Sequence, residues 1–256
     1  MLKIGLVQFR LVPGDRAENK RRIQELVRAF SDRPDWLIFP EMTLTGFFLR
    51  QDQPEPAAED EAFFGRLARE RNCWVTFGTT EERQNVAITL DRQATRVATY
   101  RKIHLFSLSG EERHHLPGKQ PVSFSLRGMK VTPAICYDLR FPLLFYQQAR
   151  TTDLFVILAH WPLSRIDHWE ILLKARAVEN LSYVIGVNHT GDSPDGKGGG
   201  HSLVVTPEGQ VLLDAGQAEG IFTAVVAKEV VAQTRKRWPF LKDRKPLEGE
   251  NDSTQN

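Results

Sequence analysis

Met129-Lys130-Val131-Thr132-Pro133-Ala134-Ile135-Cys136-Tyr137-Asp138-Leu139-Arg140-Phe141-Pro142 is a largely apolar run that opens at one cysteine into a polar turn. A strand that hands a single thiol to such a turn is how an α/β enzyme presents a nucleophile. Two upstream runs end on groups that a thiol would need. Trp36-Leu37-Ile38-Phe39 leads into Pro40-Glu41, a carboxylate at a second strand end, and Arg101-Lys102-Ile103-His104-Leu105-Phe106 places a lysine after a third. Together they read as base, oxyanion stabiliser and nucleophile. Taken singly, each has a bland explanation: an inert buried cysteine, a solvated loop glutamate, a surface lysine. The other cysteine, Cys73, sits beside Trp74 in an ordinary apolar context.

Apolar runs and amphipathic segments alternate on both sides of this stretch. Strands are predicted at Lys3–Phe9, Asp35–Phe39, Trp74–Gly78, Asn85–Leu90, Arg96–Tyr100, Lys130–Ile135, Leu154–Leu158, Tyr183–Val187, Ser202–Thr206 and Ile221–Val226. Ala17–Phe30, Ala62–Arg71 and Asp167–Leu181 carry apolar residues at helical spacing. The last puts Trp169, Leu172, Leu173 and Ala177 on one face, with Val178 at its edge. Turn residues at Asp91-Arg92-Gln93 and Pro207-Glu208-Gly209 predict two hairpins. Strand–helix units mixed with hairpins imply an α/β protein with mixed sheets and helices outside; the pattern leaves open whether there is one sheet or two. No internal repeat or linker interrupts it. The domain is read as residues 1–241. Residues 242–256 contain one aliphatic side chain, Leu247, and read as a polar tail that is disordered or lies on a partner.

Bulk composition narrows the class. The chain has 256 residues, is 41% hydrophobic and 26% charged, and carries a formal net charge of +2 from 34 basic and 32 acidic residues. That balance gives no electrostatic case for nucleic acid or an anionic membrane. No apolar run reaches the roughly 18–20 residues of a membrane span, and the N-terminal run lacks the longer apolar core of a signal peptide. Two cysteines do not make a disulfide framework. A Cys73–Cys136 bond is not forbidden, but a reducing compartment fits better, so the expected location is the cytoplasm.

The motifs Phe39-Pro40-Glu41, Tyr100-Arg101-Lys102-Ile103-His104-Leu105-Phe106 and Ile135-Cys136-Tyr137-Asp138-Leu139-Arg140-Phe141-Pro142 match, in order and spacing, the nitrilase superfamily of carbon–nitrogen hydrolases, which the chain resembles from about residue 2 to about residue 240. The Cys-Tyr-Asp-Leu-Arg-Phe-Pro form, with Trp161-Pro162 and Arg165 downstream, resembles most the ω-amidase branch. Those enzymes hydrolyse the terminal amide of α-keto acid amides such as α-ketoglutaramate. The resemblance implies an α-β-β-α four-layer sandwich, a thioester route without cofactor or metal, and a homodimer or higher homo-oligomer. It implies Glu41 as base, Cys136 as nucleophile, Lys102 with the Tyr137 N–H at the oxyanion, and a second glutamate. Glu111 is the best match for that glutamate, with Glu112 beside it. It further suggests that Arg165 pairs with the substrate carboxylate and that Trp161 walls the pocket. Arg140 reads as structural, tying down the turn after the nucleophile. His160 stands where close relatives are expected to carry asparagine, which bears on fine substrate preference.

Three other features read as bland. Gly191-Asp192-Ser193-Pro194-Asp195-Gly196-Lys197-Gly198 lacks the Ser or Thr that a P-loop needs after its lysine, and a strand follows it; it reads as a mobile segment near the active-site mouth. His114-His115 with His104 lacks metal-ligand spacing. Arg235-Lys236-Arg237 reads as a solvated face. The expected partner is a small carboxylate-bearing amide. Competing readings are a deaminated-glutathione amidase, a carbamoyl-amine hydrolase, a nitrilase, or a catalytically silent scaffold.

Overall fold

Alternation of apolar side chains along short strands builds two sheets with two buried faces each. The computed structural model describes residues 1–47, 57–193 and 196–245. In chain order the strands are β1 (Leu2–Gln8), β2 (Trp36–Ile38), β3 (Trp74–Glu81), β4 (Gln84–Leu90), β5 (Arg96–Arg101), β6 (Phe124–Leu126), β7 (Met129–Ile135), β8 (Leu154–Leu158) and β9 (Tyr183–Val187). A short ribbon, β10 (Asp192–Ser193) and β11 (Gly196–Lys197), precedes β12 (Leu203–Val205), β13 (Val211–Asp214) and β14 (Gly220–Val226). The helices are α1 (Arg16–Ala29), α2 (Ala57–Arg71), α3 (Pro142–Gln148), α4 (Ile166–Asn180) and α5 (Lys228–Arg237).

One sheet has the order β14-β1-β2-β3-β4-β5, the other β13-β12-β9-β8-β7-β6. β1, β2 and β3 are parallel, and the β3-β4-β5 meander brings β5 back into the same direction. β7, β8 and β9 are parallel in the second sheet. Trp36 and Ile38 of β2 face Leu154, Val156 and Leu158 of β8 across the inner core. The alternate residues point outward: Leu37 packs with Ile23, Phe63 and Phe64 of α1 and α2, and Phe155 and Ile157 pack with Phe145, Trp169 and Leu173 of α3 and α4. Each such side chain contributes roughly 1.5–3 kcal/mol on burial. The α-β-β-α sandwich is thus the fold.

Every strand and helix predicted from the sequence is present, with ends shifted by a few residues, and both predicted hairpins join β4 to β5 and β12 to β13. Periodicity missed β6, α3, α5 and the two-residue strands β10 and β11. β6 is three residues long and pairs with β7 through a tight turn at Arg127 and Gly128, both at positive φ. α3 is a seven-residue helix started by Pro142 at its first turn, too short to show a period. Arg235 departs from the predicted solvated face. It is half-buried and donates to the carbonyls of Leu181 (3.1 Å), Ala149 (3.1 Å) and Thr152 (2.5 Å), which anchors α5. At the start of the predicted tail, the Arg244 guanidinium lies over the Tyr146 ring (4.2 Å) and donates to Asn180 Oδ1 (2.8 Å), so it packs on its own chain; residues 246–256 lie outside the described residues. Both cysteines are free, Cys73 in the outer core under α2. Among the described residues no helix is long and apolar enough to cross a membrane.

Candidate active site

The carboxyl ends of β2, β5, β7 and β8 deliver the predicted residues to one place. Cys136 follows β7 directly, at φ 45°, a left-handed conformation that a β-carbon disfavours. Such strain persists only where the surroundings over-determine it. Asp138 does so here. Its buried carboxylate accepts from the Ile135 N–H (3.0 Å), the Tyr100 hydroxyl (2.8 Å), the His104 N–H (2.8 Å) and His104 Nδ1 (2.8 Å). One side chain thereby ties the residue before Cys136 to the segment after Lys102.

Glu41 opens the turn after β2 and is fully buried. Gly78 on β3 passes so close that a β-carbon there would lie 2.8 Å from Glu41 Cα. Oε1 of Glu41 accepts from Lys102 Nζ (2.9 Å) and Asn85 Nδ2 (2.7 Å), while Oε2 accepts from the His160 N–H (2.9 Å). Lys102 Nζ also donates to Glu111 Oε1 (3.1 Å) and Oε2 (2.9 Å). Glu111 is completed by Asn85 Nδ2 (2.9 Å) and the Phe106 N–H (2.7 Å). Glu112 is exposed, so the geometry selects Glu111 as the second glutamate. The Cys136 thiol donates to the His160 carbonyl at 3.7 Å. The backbone of His160 therefore contacts both the thiol and the carboxylate.

Electrostatics follow from this burial. Desolvation and the Glu41 carboxylate hold the Cys136 thiol well above the usual cysteine range, against the opposing pull of Lys102. The resting thiol is protonated, and attack requires a base at the moment of reaction. Burial alone would lower Lys102, but Glu41 and Glu111 outweigh it and hold the ammonium above its ordinary range. Burial works against ionised Glu111 as well, yet Lys102, Asn85 and the Phe106 amide keep it below the ordinary carboxylate range.

The pocket over this cluster is lined by Phe47, Phe106, Tyr137, Trp161, Arg140 and Arg165, among others. Trp161 Nε1 donates to the Arg165 carbonyl (2.7 Å), which fixes the turn that carries this arginine. The Arg165 guanidinium lies over Phe106 (5.7 Å), and that of Arg140 over Trp161 (4.8 Å). Among the described residues neither guanidinium has a carboxylate partner.

A model of the carbon-nitrogen hydrolase family matches residues 3–236. The chain belongs to the carbon–nitrogen hydrolase family. It is therefore a hydrolase of carbon–nitrogen bonds. The chain is 33% identical to the 2-oxoglutaramate amidase of Bacillus subtilis over 250 residues, 94% of this chain and 96% of that protein. It is 32% identical to an omega-amidase of Escherichia coli K12, again over 94% of this chain and 96% of that one. Among solved structures it resembles a CN-hydrolase superfamily protein of Xanthomonas campestris with an arsenic adduct in the active site, at a TM-score of 0.85 and 25% identity over 96% of this chain and 98% of that chain. It also resembles a mutant amidase of Nesterenkonia sp. AN1 that shows Michael addition of acrylamide at the active site cysteine, at a TM-score of 0.81 and 25% identity over 93% of this chain and 100% of that chain.

In the carbon–nitrogen hydrolase site Arg140 both lines the pocket and donates to His168 Nδ1 of α4 (3.3 Å), which ties the nucleophile turn to that helix. Arg176 of α4 adds to this, donating from Nε (3.1 Å) and a terminal nitrogen (2.9 Å) to the Leu139 carbonyl. Asn85 and Asn188 also serve the site, though neither stood out in the sequence. Asn188, after β9, clamps the Trp161 backbone, accepting from its N–H (2.9 Å) and donating to its carbonyl (3.0 Å). Asn188 follows an apolar strand, the same signal that revealed Glu41, whereas Asn85 lies inside β4 near its start. His160 lines the pocket with its ring against His189 (3.7 Å), and burial, with His189 and Lys102, keeps it neutral, well below the usual histidine range. His104 serves Asp138, and His115 lies 3.4 Å from the Thr80 hydroxyl. The β10–β11 segment lies beside the pocket wall, with Gly198 bridged to Pro162 and the Gly199 N–H on the Trp161 carbonyl (2.8 Å).

Proposed function

We propose that this protein hydrolyses the terminal amide of a small α-keto acid amide, 2-oxoglutaramate (α-ketoglutaramate) or a close analogue, through a thioester on Cys136. The observation that carries this reading is the buried Glu41–Lys102–Glu111 cluster beside the Cys136 thiol, under a pocket that holds two guanidiniums with no carboxylate partner among the described residues. Cys136 Sγ attacks the amide carbon as its proton passes to Glu41. Lys102 Nζ and the Tyr137 N–H receive the developing oxyanion; one such donor is worth about 10²–10³ in turnover. Collapse breaks the C–N bond, and Glu41 returns the proton to the departing nitrogen, which leaves as ammonia. Water then attacks the thioester, giving up a proton to Glu41, and releases the acid and the free thiol.

Arg165 and Arg140 are assigned to the far carboxylate of the substrate, for which a planar guanidinium suits paired hydrogen bonds. Trp161 and Phe106 wall the intervening chain. The names of the relatives agree with this substrate class. Two free cysteines suit a reducing compartment, and we place the protein in the cytoplasm. The family resemblance supports a homodimer; sedimentation as a single chain would contradict it. The reading is tested by ammonia release across α-keto amides, amino-acid amides, nitriles and carbamoyl compounds. The keto amide is expected to lead. Faster turnover of a neutral nitrile or a carbamoyl compound would overturn the substrate assignment.

A further inference from the structure

Asn85 opens the inward-pointing part of β4 and touches every charged member of the cluster. Its side-chain Nδ2 donates to Glu41 Oε1 (2.7 Å) and to Glu111 Oε1 (2.9 Å), and its backbone carbonyl accepts from the Lys102 N–H (2.9 Å). The residue is fully buried. Its own Oδ1 is buried as well and has no partner among the described residues, an arrangement that costs stability. Turning the amide over would put Oδ1 against two carboxylates, so the anions dictate its orientation.

The charge count gives this geometry a consequence. Glu41 and Glu111 share one ammonium, Lys102. The other titratable groups facing them are the Cys136 thiol, the neutral His160 ring and His115, which burial pushes below its ordinary range. With one cation for two buried carboxylates, neutral hydrogen-bond donors must supply the rest of what keeps both ionised. Asn85 Nδ2 bonds to an oxygen of each carboxylate. An amide N–H satisfies a carboxylate without supplying a proton that can transfer.

We propose that Asn85 is a positioning residue that keeps Glu41 unprotonated, so that it is available as a base at neutral pH. This rests on the reading of Glu41 as the proton acceptor. The test follows the Glu41 carboxyl band by infrared difference spectroscopy during pH titration, the band being assigned by its loss in Glu41→Gln. The pH profile of kcat/KM for 2-oxoglutaramate hydrolysis is recorded in parallel. In Asn85→Ala the titration midpoint and the acid limb of the profile are expected to rise together by about one to two pH units, the equivalent of a lost hydrogen bond to a charged group. Asn85→Ser, which can donate once, is expected to fall between and provides the test if the alanine variant does not fold. An unmoved midpoint in folded variants, with kcat or melting temperature merely lowered, would make Asn85 a structural residue and overturn the proposal. A wild type that releases no ammonia would instead overturn the amidase reading, and the infrared midpoints would still decide the role of Asn85.

Discussion

Lys102→Met removes the one cation that, among the described residues, bonds to Glu41 and Glu111, while keeping the length of the side chain. Both carboxylates are fully buried, so neither can recover solvation by a small movement. Removing one partner of a buried ion pair costs about 3–5 kcal/mol. For a chain of this size, at roughly 2–4 °C per kcal/mol, the melting temperature should fall by roughly 6–20 °C. The pH dependence should also change sign. In the wild type Glu111 is held below its ordinary range, so its contribution is present above the unfolded-state value, near 4.5, and is lost as pH falls through the folded value. Without Lys102, burial dominates and raises the Glu111 carboxyl above its unfolded value. Its penalty is then absent in acid and grows as pH rises towards neutrality. Thermal denaturation followed by circular dichroism between about pH 5 and 8 reads both effects. Lys102→Met should be most stable at the acid end of that range, and its amide turnover should fall by at least about 10². A variant that melts within a degree or two of wild type across that range would refute the view of Lys102 as the counter-charge of the cluster.

Cys136→Ala should abolish hydrolysis without unfolding the protein, whereas Cys73→Ala should retain most activity. Because burial and Glu41 raise the Cys136 thiol, its alkylation by iodoacetamide should accelerate as pH rises through the alkaline range; mass mapping that finds Cys73, pushed up to about 12 by burial, as the faster site would contradict the assignment. Arg165→Ala and Arg140→Ala should each cut kcat/KM for a carboxylate-bearing amide by roughly 10- to 150-fold, the worth of a charge-assisted hydrogen bond, and spare a neutral amide of similar size. Equal losses on both substrates would make them supports of the fold. Asp138→Asn should lower stability by about 1–3 kcal/mol through its unmet donors and reduce turnover by loosening the Cys136 elbow; unchanged melting and turnover would remove Asp138 from that role.

Side chains placed by local pattern were legible in the sequence. Glu41, Lys102 and Cys136 each follow an apolar run, so a polar residue at a strand end could be read directly, and the inner and outer faces of β2 and β8 followed from alternation. Their convergence was not visible in any single run, because the parallel strands that carry Glu41 and Cys136 belong to different sheets. Asn85 and Arg176 escaped because each meets its partner from far along the chain. Asn85 meets Glu41 from 44 residues away, and Arg176 meets Leu139 from 37. Arg176 also contradicts its pattern, since a charged residue on a helix face reads as solvated until the Leu139 carbonyl gives it a partner. Arg140 was read only in part, because a guanidinium next to a nucleophile turn can bond a neighbouring helix or line the pocket, and here it does both. The glutamate pair at 111 and 112 was resolved by the short helical turn at Glu111–Arg113, which buries the first and exposes the second.

The central claim is that Cys136 carries the acyl group, and acid quenching during turnover tests it most directly. Wild-type protein mixed with 2-oxoglutaramate and quenched early should show, by mass spectrometry of its peptides, one acyl group on the peptide containing Cys136. The adduct should decay as product acid accumulates and be absent in Cys136→Ala. Ammonia released at the wild-type rate by Cys136→Ala, with no adduct at any quench time in either protein, would contradict the account.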